Sequence, residues 1–447
     1  MNQRRSHLHF NPSRPTAPHF GRVLLLVVWA SSATAQPLSL EEAERRALTT
    51  NPSLRQARLE VVAAEERTLQ AYSRHLGEGD VVVLANHFEG ARLVRPITGP
   101  LAPATIASLP FDADQLHAGL TWQIPLFVGG ALVEADRAAN LLEDAARAQG
   151  AHSEAELRYN VRATFRNALT LTHALAGADS LERALEQAEA SARLRQEAEA
   201  STAVDTLKVR FALASARARR TSLGAQQRTA LGLLAALIGD EAELELVDTA
   251  VPSSVDDAPA APAAPEELER SDLRSLRAIA GAQEHRLAAV RAGFWPQLAL
   301  AGNVFFNAGL TSSPSAPTLE VSLLLKVPVL ASIGRIAALR EAEANLEIVR
   351  ERARARALDM HTQVLDAQGR VEAARAALTS SEAQRTLGAE VARVEKLKFE
   401  SGTGKIEDYL LALSQQFDAE TAAWQAQYAL QTAHDYLAFT TGNGGSR

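Results

Sequence analysis

From Val329 to Arg447 the chain contains no proline, and within that stretch apolar residues recur at helical spacing: Leu339, Ala342, Leu346, Val349, Ala353, Ala357, Met360, Val364, Ala367, Val371, Ala374 and Leu378. Steps of three and four residues make a seam along one face of a helix, the pattern of a rod that packs lengthwise on other helices. At 1.5 Å per residue, an unbroken helix from Ile336 to Lys398 is about 90 Å long, more than one globular domain normally holds. Ser401-Gly402-Thr403-Gly404 interrupts the pattern, and Ile406, Leu410, Leu413, Phe417 and Trp424 carry a second helix back. The expectation is a long antiparallel helical hairpin. Its many alanines let neighbouring helices approach closely, as in a curved wall.

Upstream, Arg4, Arg5, Arg14 and Arg22 precede the short apolar run 23–30, and Ala33-Thr34-Ala35 has a small-x-small cleavage pattern. Residues 1–35 therefore read as a secretory signal peptide, with an apolar run too short to span a bilayer. Its removal takes away four arginines and no acid, moving the net charge from −7 to −11. Such a chain is a poor partner for nucleic acid. Cysteine is absent, so neither disulfides nor a thioether-linked lipid anchor is available. No later segment has the continuous apolar run of a transmembrane helix, so any membrane contact must be made by strands.

Ser39 and Glu42 have capping-box spacing for a helix through Leu48. Asn51-Pro52 starts another, which runs to about Arg74 before Gly77 and Gly79. Two strand candidates follow, Val81–His87 and Gln115–Ile124. In the second, Leu116, Ala118, Leu120, Trp122 and Ile124 alternate with Gln115, His117, Gly119, Thr121 and Gln123. Ten alternating residues fit a strand of an outer-membrane barrel; a soluble sheet with one buried face gives the same pattern. Trp122, near the strand end, fits either a membrane-interface anchor or a core position. Helices are expected again over 130–239, with a weak point at Ala200-Ser201-Thr202, followed by a Pro/Ala-rich linker at 251–265.

The second half then repeats the first. Pro328 lies 203 residues beyond Pro125, and the same offset relates Asp408 to Asp205, Leu410 to Leu207 and Gly442 to Gly239. Val321, Leu323, Leu325 and Val327 fall 203 beyond Ala118, Leu120, Trp122 and Ile124. A constant offset through strand, helix and turn indicates duplication. The expected organisation is a first repeat over 36–250 (hairpin about 81–124, helical hairpin about 130–239), a second over 266–442 (hairpin about 295–327, helical hairpin about 336–440), and a tail, 443–447. Four strands per chain cannot close a barrel in lipid, so a membrane reading requires several chains to share one.

The stretches Leu38–Leu54 (LSLEEAERRALTTNPSL), Ile124–Gly130 (IPLFVGG) and Ser401–Leu410 (SGTGKIEDYL) resemble the TolC-like outer membrane efflux proteins, in their order and spacing as well as their composition. The resemblance covers essentially the whole mature chain. It implies a mainly α fold with a membrane β-barrel portion: a homotrimer with a shared 12-stranded barrel in outer-membrane lipid and a long periplasmic α-barrel. Its implied partners are a periplasmic adaptor and an inner-membrane transporter. It places the periplasmic aperture at Gly402, Lys405, Glu407 and Asp408, where Asp408 matches an acidic ring position. Leu411 stands where a second family aspartate would be, and Gly404 replaces a basic residue for which Lys405 is a substitute. Gly402 and Thr403 match the turn and Phe399 stands where an aromatic helps hold the helices together; at the second strand-to-helix junction Pro328 matches, whereas Val329-Leu330-Ala331 departs from the usual Phe and Gly. Asp205 is the equivalent position at the first-repeat tip. An Asp inside a helix start also serves the helix dipole and cap, so a structural role stays open for both aspartates.

Enzyme chemistry finds no foothold. Gly402–Lys405 lacks the first glycine of a phosphate loop and has Ile406 after the lysine. The histidines lack HExxH spacing, so no metal site is expected; no GxSxG elbow occurs, and no cofactor is implied. The runs Arg217–Arg220 and Arg352–Arg356, interleaved with alanine and balanced by acids, read as solvated helix faces or inter-chain pairs. The rival class is a soluble periplasmic coiled-coil scaffold or adaptor, and a polypeptide-secretion duct shares the channel architecture.

Overall fold

A computed structural model describes residues 38–95, 109–240, 244–247, 270–311, 316–329 and 333–442. The expected signal peptide, linker and tail lie outside these residues. Helix α1 (Leu40–Thr50) begins where the Ser39 hydroxyl accepts the Glu42 amide at 3.3 Å. Asn51 ends α1 and caps α2 (Pro52–Ser73), its side-chain oxygen accepting the Leu54 amide at 3.1 Å beside Pro52 at the first helical position, as those residue types favour. After a single 3₁₀ turn (Arg74–Leu76), Gly77 takes φ +76°, and a Cβ there would lie 2.0 Å from the Gln123 carbonyl oxygen. Only glycine lets the chain enter the sheet at this point.

Four strands follow in two hairpins: β1 (Glu78–Leu93) with β2 (Phe111–Phe127), and β3 (Gln297–Gly309) with β4 (Ala316–Lys326). They form one antiparallel sheet in the order β1-β2-β3-β4. The two halves of the chain are thus joined through β2 and β3, and β1 and β4 are left as edges. The strands run beyond the stretches expected from alternation, because Glu78, Gly79 and Asp112 continue the ladder without continuing the hydrophobic pattern.

The helices are α3 (Ala131–Glu197), α4 (Ala203–Ile238), α5 (Ser271–Ala292), α6 (Ile333–Ser401) and α7 (Ile406–Thr440). Helix α3 packs on α2 and α4 and also on α5 and α7, while α6 packs on α5 and α7. The resulting order is a wall: α2 with α4, then α3, then α5 with α7, then α6. The short helices of each pair meet end to end. At the first junction, the Thr50 hydroxyl donates to the Ile238 carbonyl and the Asn51 amide donates to the Leu237 carbonyl at 2.9 Å. At the second, Gly442 lies against Arg270, with its notional Cβ 3.7 Å from the Arg270 Cα.

The expected seam of α6 is the packed face: Leu346, Val349, Met360, Val364, Ala367 and Val371 are buried, and Ala353, Ala357, Ala374 and Leu378 pack beside them. Midway along the wall, Leu38, Leu54, Val161, Phe165, Leu234, Ile238 and Tyr428 bring α1 to α4 and α7 together. At the far end, Leu185, Val209, Leu213, Phe399, Ile406, Tyr409 and Leu413 close both helical hairpins into one cluster. Among the described residues, no helix is long and apolar enough to cross a membrane.

Candidate pore: the sheet and the helical tip

Cross-strand register sorts the sheet's side chains onto two faces. One carries Val81 and Val83, then Leu116, Leu120, Trp122 and Ile124, then Leu298, Leu300, Val304 and Phe306, then Leu319, Val321, Leu323 and Leu325. The four β4 residues are each more than 60% exposed, and among the described residues no further layer packs on this face. The opposite face carries Glu78, Asp80, Asn86, Gln115, His117, Thr121, Gln123, Asn303, Asn307, Thr318, Glu320, Ser322 and Lys326, interrupted by Val82, Leu84, Phe305 and Leu324. A soluble protein would bury the apolar face under another layer. Here it is open across all four strands.

Trp122 lies on that apolar face with glycine opposite it on both neighbours, Gly79 and Gly302. Its indole occupies the space above Gly302: a Cβ there would be 1.9 Å from a ring carbon. On the polar face the roles reverse, with the Phe305 ring covering Gly119. These two pairs pin β2 to β3, the seam between the repeats, by aromatic cover of glycine.

The opposite end of the molecule is the turn between α6 and α7. Gly402 takes φ +77°, and the Thr403 and Gly404 amides both donate to the Lys398 carbonyl, at 3.0 and 2.9 Å. A Cβ on Gly404 would meet the Lys398 Cβ at 2.7 Å, so any side chain there would require this turn to shift. Phe399 stacks on Tyr409 with centroids 5.4 Å apart, and the Arg195 guanidinium lies 4.4 Å above the Phe399 ring while donating to the Glu400 carbonyl.

Helix α7 then starts with Lys405 at its N-cap, and Lys405, Glu407, Asp408 and Leu411 are all exposed. Glu407 and Asp408, neighbours in sequence, part company in the structure. Glu407 forms an ion pair with Lys208 of α4, which ties the second hairpin to the first. The hydrogen bond from the Lys208 ammonium holds the Glu407 carboxyl below the usual range, and the same bond raises Lys208. Asp205 belongs to a capping box: the Thr202 amide and hydroxyl donate to it at 3.0 and 2.9 Å, and its own amide donates to the Thr202 hydroxyl. Higher up, Arg219 pairs with Asp418 at 2.7 Å and lies over Phe417.

Sequence reading did not single out Lys208 or Arg195. Their partners lie some 200 residues away, and only the azimuth of each packed helix brings them together. The arginine runs are largely taken up within the chain: Arg217 pairs with Glu182 and Glu186, Arg220 with Asp179, and Arg356 with Asp272 and Asp359. Among the described residues no group of acids and histidines has the arrangement of a metal site.

An open sheet with one apolar and one polar face, carried on long helical hairpins, is the architecture of outer membrane channels. The solved structures similar to this chain bear that out. A membrane protein of Pseudomonas aeruginosa is 22% identical with a TM-score of 0.75, covering 90% of this chain and 93% of that one. The CmeC outer membrane channel of Campylobacter jejuni is 14% identical with a TM-score of 0.77, covering 97% and 94%. The open state of the MtrE outer membrane channel of Neisseria gonorrhoeae is 19% identical with a TM-score of 0.70, covering 91% and 89%. At such identities the likeness establishes the fold. Residues 266–443 match the family model described as Outer membrane efflux protein. That match spans the second half of the chain, and the chain as a whole has the fold of the solved channels. No curated protein sequence matches the chain.

Proposed function

We propose that three copies of this chain assemble into an outer-membrane exit duct, receiving cargo from an inner-membrane transporter through a periplasmic adaptor. The observation that carries this reading is the sheet: its apolar face is uncovered over four strands, its other face is largely polar, and both edges are unpaired. In lipid, open edges are intolerable, and four strands are too few to close. Three sheets joined β4 to β1 give twelve strands, apolar outward and polar inward.

The helical wall ends in the same way. Helices α2 and α4 at one edge expose Leu59, Leu69, Leu207 and Phe211, and α6 at the other exposes Leu358, Leu365, Leu387 and Leu397. Joining α6 of one copy to α2 and α4 of the next buries both edges and continues the wall into a tube. Trp122, on the apolar face near the helical end of its strand, is the interface anchor in this reading. The aperture is at the tip, with Asp408 facing the axis, Gly402 and Lys405 shaping the turn, and the Glu407–Lys208 pair holding the hairpins together. Asp205 acts as a helix cap at the first-repeat tip.

The test is reconstitution of the full chain in planar bilayers after detergent extraction from outer membranes. A cross-linkable trimer with discrete conductance is expected, and Asp408→Ala should weaken its block by multivalent cations at least several-fold. A detergent-free monomer in the soluble periplasmic fraction would favour the scaffold reading instead.

A further inference from the structure

One register row crosses the polar face of the sheet from edge to edge. Asp80 on β1 pairs with Thr121, Thr121 with Asn303, and Asn303 with Glu320 on β4. Both carboxylates are exposed, and neither has a hydrogen-bond or ion-pair partner among the described residues. The row lies behind the apolar face at the level of Leu120, Trp122, Gly302 and Val321, within the part of the sheet that would stand in lipid. Over the regularly paired part of the sheet, Glu78–His87 on β1 and its partners, the other ionised groups on this face are Glu78 and Lys326, three acids against one base per chain.

We propose that the Asp80–Glu320 row is a charge-selecting belt in the β-lined part of the duct, favouring cationic over anionic solutes independently of the helical tip. The proposal rests on the duct reading above and assigns part of its selectivity to the outer end. Within one chain the carboxylates stand about three strand spacings apart, roughly 14 Å, and the belt acts through its field. Twelve strands about 4.8 Å apart, tilted by about 40°, enclose a radius of roughly 12 Å at the backbone. The acidic side chains reach inward from that wall, so a solute on the axis passes within about one Debye length of them at 0.1 M salt, where that length is about 10 Å. At 0.01 M it is about 30 Å, and the six carboxylates of a trimer act together. Thr121 and Asn303 between them add hydrogen-bonding groups without opposing charge.

The experiment is the reversal potential of the reconstituted full chain under a tenfold KCl gradient, from 10 to 100 mM. For the wild type a cation preference is expected, with the cation-to-anion permeability ratio falling at least two-fold in Asp80→Asn/Glu320→Gln and persisting in Asp80→Glu/Glu320→Asp. Each single neutral variant should give an intermediate shift, which guards against a double variant that fails to assemble. Asp408→Ala, measured alongside, should shift the ratio by the same factor in wild type and in the neutral double variant, since the tip lies at the other end of the molecule. A conducting neutral variant with the wild-type reversal potential overturns the belt and leaves the duct intact. Absence of wild-type conductance overturns the duct reading, and the belt with it.

Discussion

Glu199 is the one non-glycine residue with positive φ among the described residues, at +55°, and it lies 203 residues before Gly402, at +77°. Both tips turn through a left-handed residue, glycine in the second half and glutamate in the first. A side chain in this region costs about 1–2 kcal/mol. Glu199→Gly is therefore expected to stabilise the first hairpin by about 1 kcal/mol, after allowance for the greater freedom of glycine in the unfolded chain. The thermal unfolding midpoint should rise, and Glu199→Ala should leave it unchanged or lower. A midpoint that falls with glycine refutes the strain.

Asp272 makes the opposite kind of residue-scale argument. Burial pushes its carboxyl up, but hydrogen bonds from Arg270 and Arg356 outweigh burial and hold it well below the usual carboxylate range. The Arg270–Asp272 pair is almost fully buried, with side chains 3% and 8% exposed, at the junction of α5 and α7. Asp272→Asn leaves Arg270 without its counter-charge, at a cost of about 3–5 kcal/mol. Because the folded-state pKa is depressed, the stabilisation is present above the unfolded value near 4 and is lost as pH falls below it. A urea titration series from pH 6 to pH 2 should show the wild type losing more stability than the variant over that range.

At the scale of elements, the two helical hairpins are tied near their free ends by Lys208–Glu407 and Arg219–Asp418. Both pairs are exposed, and exposed ion pairs are weak because water and salt screen them, so they bias a tip equilibrium only modestly. In the proposed duct, ties this weak would let a docking partner open the tip. Lys208→Glu places like charges beside Glu407 and Asp205 and should raise mean conductance modestly, with recovery in the swapped Lys208→Glu/Glu407→Lys variant. Equal conductance in all three proteins would remove the tie from the gate. Since Lys208 lowers Glu407, the pair is present at neutral pH and is lost as pH falls through the lowered Glu407 value.

At the scale of the whole molecule, the wall of helices and the sheet share one property: each has two unfinished edges. Leu358, Leu365 and Phe211 on the helices and Leu319, Val321, Leu323 and Leu325 on β4 are exposed, the surfaces that the proposed assembly would cover. Exposed hydrophobic residues of this number are costly in water unless neighbouring copies or lipid cover them.

Much of this was legible in the residues. The α6 seam from Leu346 to Leu378, the alternation from Gln115 to Ile124 and the offset of 203 arise from periodicity, which depends only on local backbone geometry and on which residues avoid water. The limits of β1 and β2 were not legible, because ladder hydrogen bonds hold Glu78, Gly79 and Asp112 whatever their hydrophobicity. Nor was the partner of Glu407: an ion pair between α4 and α7 depends on how two packed helices are rotated, and no local pattern encodes that angle. The same holds for the Asp80–Glu320 row, whose members become neighbours only through three strand registers, one of them pinned by Trp122 over Gly302. The sequence by itself determined the elements, their faces and their repetition, since these follow from local periodicity; tertiary structure alone decided which charges meet and which remain unpaired, since that depends on packing between distant segments.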